Sequence, residues 1–356
     1  MIYKRRQTKT ISLGDVKIGG DHKVTIQSMC NSKTHDVKST LSQIHEMTSA
    51  GCEIVRLAIP DMASANALKT IVKEVRIPIV ADIHFDYLLA IESIKNGTNG
   101  LRLNPGNIGT KQQIKKIINY AKEYHVPIRI GVNSGSIAKH ILKKYGVSAE
   151  GIVESALEHV KILEDNDFDQ IKISVKASSV PLMIQSYRLL SQKVDYPLHL
   201  GVTESGTEFS GTIKSSIGIG TLLSEGIGDT IRVSLTDNPV KEILVAKNIL
   251  KAVEHRKGLN IISCPTCGRT NIPLLELVKE VENKLLKFED IDMTVAVMGC
   301  EVNGPGEAKE ADFGIIGGKH EGLIFHKGKI VKKVHSDRLV DSLIEIINLN
   351  KKITMF

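Results

Sequence analysis

From Val24 onward the chain repeats one unit: a short apolar segment rich in β-branched residues, then a stretch with apolar residues at helical spacing. The strand-like segments lie near 24–29, 54–59, 77–82, 100–104, 127–132, 171–176, 198–203 and 231–235. The helical stretches that follow them lie near 38–50, 62–75, 86–96, 110–124, 137–166 with a break near Gly146, 180–194, 211–226 and 239–252. Strands separated by helices pair in parallel, and eight such units in about 250 residues match a (β/α)8 TIM-type barrel. A doubly wound sheet is the rival, but it carries a glycine-rich phosphate loop after its first strand, and Gln27-Ser28-Met29-Cys30-Asn31 is not one.

Alternation along these strands sorts residues into outward apolar and inward ones, and the inward set is unusually basic. Arg56, Arg102, Arg129 and Arg232 each interrupt an otherwise apolar strand, and Lys172, Ser174 and Lys176 share one face of another. A single buried Arg is explained by an ion pair, here to Asp82, Glu204 or Asp237. The set outnumbers those partners, and interior cations in excess point to a polyanionic ligand, for which Arg offers two-pronged contacts. Asp82 and His84 end the third strand, and Glu204 follows the seventh, all at the rim where barrel enzymes do their chemistry. A carboxylate there serves as a general acid or simply holds an Arg.

At 356 residues the chain is long for one domain. We expect the barrel over 1–253 and a small α+β domain over 254–356, the latter with a helix near 273–287, strands near 293–299 and 313–317, a hairpin of 321–326 with 329–334, and a closing helix near 337–350. The net charge of +7 fits nucleic acid, an anionic membrane or an anionic small molecule. Aromatics make up only 4% with no Trp, and the cations sit in strands rather than on helices and loops, which argues against nucleic acid. Lys4-Arg5-Arg6 is followed by polar residues, so it reads as no secretory signal, and no apolar run reaches membrane-spanning length. An odd count of 5 cysteines then suggests a reducing cytoplasm.

Three of the five cysteines fall in two turn-rich pieces, Ser263-Cys264-Pro265-Thr266-Cys267-Gly268-Arg269-Thr270 and Gly299-Cys300-Glu301-Val302-Asn303-Gly304-Pro305-Gly306-Glu307. A CxxC turn points both thiols to one side of a tight loop, where one metal centre can be gripped, and Cys300 supplies a third ligand. The rival readings are a redox dithiol, which needs no third cysteine, a structural zinc, which wants a fourth Cys or His nearby, and ordinary buried thiols. Cys30 and Cys52, in apolar surroundings, read as packing residues. Glu307 as a fourth, oxygen ligand would exchange with a substrate oxygen more readily than a thiolate, which predicts a catalytic iron–sulfur cluster rather than an electron wire.

The motifs CPTCGRT and GCEVNGPGEA resemble the signature of the 4-hydroxy-3-methylbut-2-enyl diphosphate synthases of the non-mevalonate isoprenoid pathway, and the resemblance runs from about residue 4 to about 350. It implies a barrel joined to a 4Fe-4S domain that reduces a cyclic diphosphate, 2-C-methyl-D-erythritol 2,4-cyclodiphosphate, by two electrons. It implies cluster ligation by Cys264, Cys267, Cys300 and Glu307, and diphosphate contacts from Arg56, Arg102, Arg129 and Lys176, with Asn104, Asn133 and Ser234 beside them. Arg232 and Lys172 are weaker matches, and Glu204 resembles the family's acid/base residue. The resemblance further implies a flavodoxin or ferredoxin electron donor, since no nicotinamide or flavin motif is present, and a homodimer whose sites are shared between chains. A non-catalytic iron–sulfur sensor or nucleic-acid-binding barrel is the alternative from another class.

Overall fold

The structure is a computed structural model that describes residues 4–354, apart from 105–107, 271, 301–305, 307–309 and 319. The chain divides into two compact units, Met1–His255 and Arg256–Phe356.

The first unit opens with a short antiparallel hairpin, β1 (Ile11–Leu13) and β2 (Val16–Ile18), turned through Gly14 at φ 51°. Eight parallel strands follow: β3 (Thr25–Met29), β4 (Ile54–Ile59), β5 (Ile79–Ile83), β6 (Gly100–Leu103), β7 (Ile128–Asn133), β8 (Ile171–Lys176), β9 (His199–Leu200) and β10 (Thr230–Ile231). Neighbours pair in the order β8-β7-β6-β5-β4-β3-β10-β9, and a bridge from Ile173 to Leu198 brings the two ends together. This is the expected eight-unit barrel.

Helices α1 (Val37–Ser49), α2 (Met62–Glu74), α3 (Tyr87–Lys95), α4 (Lys111–Glu123), α5 (Lys139–Tyr145), α6 (Ala149–Glu164), α7 (Val180–Lys193) and α8 (Glu208–Ser224) return the chain between strands, and α9 (Pro239–Ala252) follows the last of them. Their starts are written in the sequence. The side chains of Asp36, Asp61, Asp86, Thr110, Ser148, Ser179 and Asn238 each accept a hydrogen bond from a backbone N–H of the first turn, a cap worth about 1 kcal/mol. Gly146, at φ 63°, separates α5 from α6 where the break is expected. Outward residues such as Leu57, Ala81, Leu103, Ile130 and Ile173 pack beneath helix residues such as Ile44, Leu68, Ile118 and Leu163. At the N-terminal ends of the strands, Ile11, Leu13 and Ile18 of the hairpin cluster with Ile54 and Val80 and floor the barrel.

Two strands are shorter than the sequence suggests. Residues 198–203 and 231–235 reduce to His199–Leu200 and Thr230–Ile231. Beyond these the ladder gives way to isolated bonds, Arg232 N–H to the Leu200 carbonyl (3.0 Å) and Thr203 N–H to that of Ala177 (3.2 Å), because Glu204 (φ 52°) and Gly206 (φ 104°) bend the chain into a rim turn.

In the second unit, β11 (Leu259–Ser263), β12 (Met293–Met298), β13 (Phe313–Ile316), β14 (Glu321–His326) and β15 (Lys329–His335) form one sheet in chain order, with β11 to β13 parallel and the last two pairings antiparallel. Helices α10 (Leu274–Leu285) and α11 (Leu339–Thr354) contribute Leu274, Val281, Leu343 and Ile347 to a core with Val295, Val297, Ile315 and Ile324. Lys327 and Gly328, both at positive φ, make the tight β14–β15 turn. Strand β11 occupies residues that the sequence reading passes over on the way to the CPTC turn.

Candidate active site

In the barrel, strand parity and register gather the interior charges into adjoining columns. Met29 stands beside Arg56, Asp82 beside Arg102, Arg102 beside Arg129, Arg129 beside Lys172, Gly131 beside Ser174 and Asn133 beside Lys176. Asp82 is the centre of this group. Its Oδ1 lies 3.2 Å from Arg102 Nη1 and 3.5 Å from His84 Nε2, and its Oδ2 lies 3.6 Å from Arg56 Nε. Arg102 Nη1 also lies 2.8 Å from His84 Nε2, Arg56 Nη2 approaches Met29 Sδ at 2.9 Å, and Arg129 Nη1 donates to Ser174 Oγ at 3.4 Å.

The electrostatics are those of a site short of negative charge. Burial alone would raise the Asp82 pKa, but Arg56, the His84 hydrogen bond, Arg102 and Arg129 outweigh it and hold the carboxyl well below its usual range. Burial lowers Arg56 to about 10, with Arg232 and Arg102 adding repulsion that Asp82 offsets. Burial and then Arg129 lower Lys172 to about 7, and the same two causes push Lys176 well below the ordinary lysine value. Among the described residues Lys172 Nζ and Arg129 Nε have no hydrogen-bond partner. A buried polar group without a partner is costly, so this interior favours a ligand carrying several negative oxygens.

Glycines make room for the cations. A Cβ on Gly131 would stand 2.9 Å from Arg102 Nε, and one on Gly201 would stand 2.6 Å from Lys176 Nζ. Arg56, Arg102, Arg129, Asp82 and His84 are thus brought together, with Lys176 and Asn133 paired at the ends of their strands. Asn104 is buried just past β6, and the Ser234 carbonyl accepts the Ser205 hydroxyl. Glu204 stands exposed on the rim and, among the described residues, makes no ion pair with the cations.

Sequence reasoning missed Glu242, which is buried against Arg232 (3.4 Å). An acid in a first helical turn normally reads as an exposed partner of the helix dipole, so nothing in the local pattern marks it. It also missed Gly131, although a glycine inside a strand is a signal of close approach.

In the second unit, β11 and β12 pair in register with Ser263 opposite Val297, so Cys264 and Cys300 leave neighbouring parallel strands at the same end. Gly299 N–H lies 3.2 Å from Cys264 Sγ. A backbone hydrogen bond from Arg269 and the Thr270 hydroxyl lower the pKa of the exposed Cys267 thiol and favour thiolate. Burial instead raises Cys30 to about 12 and Cys52 to about 11, so both stay protonated packing groups. Three soft sulfur donors from two adjacent strand ends suit an iron–sulfur cluster in type and topology, although among the described residues no group of three ligating side chains converges on one point. Glu307 lies outside the described residues.

Fold and site define a (β/α)8 barrel lined for a polyanion, followed by an α+β unit that presents cysteines. Residues 8–247 match the GcpE TIM-barrel domain and residues 260–349 the GcpE protein C-terminal domain. A 4-hydroxy-3-methylbut-2-en-1-yl diphosphate synthase (flavodoxin) of Clostridium acetobutylicum is 59% identical over 97% of this chain and 99% of its own. The synthase of the same name from Clostridium perfringens is 58% identical over 96% of this chain and 99% of its own. The chain therefore belongs to the GcpE family of 4-hydroxy-3-methylbut-2-en-1-yl diphosphate synthases, oxidoreductases of isoprenoid synthesis. Among solved structures, dihydropteroate synthase from Stenotrophomonas maltophilia shares the barrel, with a TM-score of 0.51 at 11% identity over 69% of this chain and 98% of its own, a likeness of fold alone. Among the described residues no helix is long and apolar enough to cross a membrane.

Proposed function

We propose that the chain reduces 2-C-methyl-D-erythritol 2,4-cyclodiphosphate, opening the ring at a carbon–oxygen bond and expelling a hydroxyl as water, to give 4-hydroxy-3-methylbut-2-enyl diphosphate. The carrying observation is the excess of buried cations around Asp82, which calls for a polyanion. Arg56, Arg102, Arg129 and Lys176 grip the diphosphate, with Asn104, Asn133, Ser234 and His84 around it. Asp82 holds Arg56 and Arg102 apart and aims them. Closing the anion against these buried groups excludes water and strengthens every charge contact. Glu204 stands at the rim to give the proton that leaves with the hydroxyl.

Cys264, Cys267, Cys300 and Glu307 would hold a 4Fe-4S cluster, which when bound would supply electrons one at a time and a Lewis-acidic iron. The units then divide the work, the barrel binding substrate and the cysteine unit carrying reducing power. The electron donor is a flavodoxin, as the relatives' name states, or a ferredoxin, and the setting is the cytoplasm. We propose a homodimer because α9 runs back against the strand direction and leaves the barrel on the face opposite its mouth, so a cluster domain reaches a mouth most readily on the partner.

Anaerobic purification tests the reading. A brown protein with about four iron atoms per chain that turns over the cyclic diphosphate supports it, and a colourless protein with one zinc overturns it. Mixing Arg102→Ala and Cys264→Ser chains under subunit exchange restores activity if sites are shared, and persistent inactivity despite exchange removes the dimer arrangement.

A further inference from the structure

We infer that Glu242 is a positioning residue for the diphosphate site, acting through Arg232. The inference rests on the proposed diphosphate chemistry and deepens it.

The β3–β10 ladder consists of Thr230 with Thr25 and Ile231 with Ile26, so it stops one residue short of Arg232. From there the rim backbone carrying Arg232 and Ser234 has no partner strand on the β3 side. Glu242, from the first turn of α9, takes over the joint. Its Oε2 accepts from Ser28 Oγ of β3 at 2.8 Å, and its Oε1 accepts from Leu235 N–H at 2.9 Å and from Arg232 Nη2 at 3.4 Å. One carboxylate therefore ties the first barrel strand to a side chain and a backbone amide just beyond the last. Its side chain is 5% exposed and that of Arg232 18% exposed, so the clamp is largely dry, and the guanidinium it holds lies near enough to Arg56 and Lys176 to repel both. A fixed guanidinium meets a diphosphate without the cost of ordering a mobile one.

A purely electrostatic role makes the opposite prediction. Glu242 as mere countercharge weakens anion binding, so removing its charge would tighten it. A clamp also depends on reach, and aspartate is one methylene short of spanning β3 and β10.

The test is anaerobic steady-state turnover of the cyclic diphosphate by cluster-loaded Glu242→Gln and Glu242→Asp, alone and combined with Arg232→Ala. Positioning predicts that KM rises about tenfold in both variants while kcat stays within about threefold, and that neither adds to the loss in the Arg232→Ala background. An unchanged or lower KM in Glu242→Gln, or effects that add to those of Arg232→Ala, overturns the inference. Ser28→Ala keeps the glutamate and removes one arm of the clamp. It is expected to raise KM about threefold, again without adding to Arg232→Ala, and an unmoved KM overturns the inference even where the Glu242 variants do not fold. Absence of turnover in the parent enzyme removes the diphosphate reading together with this role, whereas turnover with unmoved KM values removes only the role of Glu242.

Discussion

Arg102 and Arg129 stand opposite one another in the register of β6 and β7, two guanidinium side chains adjacent on the inner face of a barrel. Like charges opposite in a sheet repel, and among the described residues only Arg102 of the two has a carboxylate at contact distance, Asp82 at 3.2 Å, while Arg129 leans on the neutral Ser174 hydroxyl. The pair is tolerable to the folded chain and well suited to an anion that bridges it.

Arg102→Ala is expected to keep its iron and its fold but to bind the diphosphate more weakly by about 2–5 kcal/mol, the usual cost of deleting one side of a desolvated charge pair. Calorimetric titration with the cyclic diphosphate measures it. An unchanged Kd would remove Arg102 from the site.

A subtler change reaches the same side chain from behind. Gly131→Ala sets a methyl 2.9 Å from Arg102 Nε and displaces the guanidinium without altering any charge. KM should rise by about three- to tenfold, with thermal stability lowered by no more than about 1–3 kcal/mol of strain.

Replacing Cys264, Cys267 or Cys300 by Ser should each abolish iron retention, because a cubane left with two thiolates is poorly held. Glu307→Ala should retain iron while changing the visible spectrum and the rate. Complete loss of iron in that variant would make Glu307 a structural ligand instead.

Glu204→Gln should lower kcat with diphosphate affinity and iron content intact, by about 10²–10⁴-fold if the carboxyl is the proton donor. Loss of affinity with preserved single-turnover chemistry would assign it to binding.

Lys172 gives a pH signature in stability. Its folded pKa is lowered to about 7, against an unfolded value near 10.5, so between those values the unfolded chain holds a proton that the folded one lacks. Its contribution therefore makes the ligand-free protein more stable as pH rises from about 7 toward 10. Lys172→Met should flatten that rise in urea unfolding and raise stability near pH 7, as removal of an unpartnered buried cation does. An unchanged slope would show that the ammonium is already solvated.

The barrel is legible in the sequence because mostly apolar strand segments alternate with amphipathic helical stretches, seven of them opened by an Asp, Asn, Ser or Thr cap, so the two periods alternate cleanly. Arg56, Arg102 and Arg129 stand out for the same reason, as charges where the pattern demands none. The hairpin β1–β2 escapes because three-residue strands are too short to show a period, and β11 escapes because it is a half-exposed edge strand after a charged run. Glu242 is legible only in space, where Ser28, far off in sequence, donates to it.

The β1–β2 floor closes the N-terminal end of a barrel whose interior is filled by side chains. Water leaving and ligand arriving must share one opening, so the deepest cations are the last to be reached on entry and the last to be rehydrated on exit. Deleting the hairpin would let solvent rise from beneath, and the grip on a polyanion would slacken although every residue that touches it remained in place.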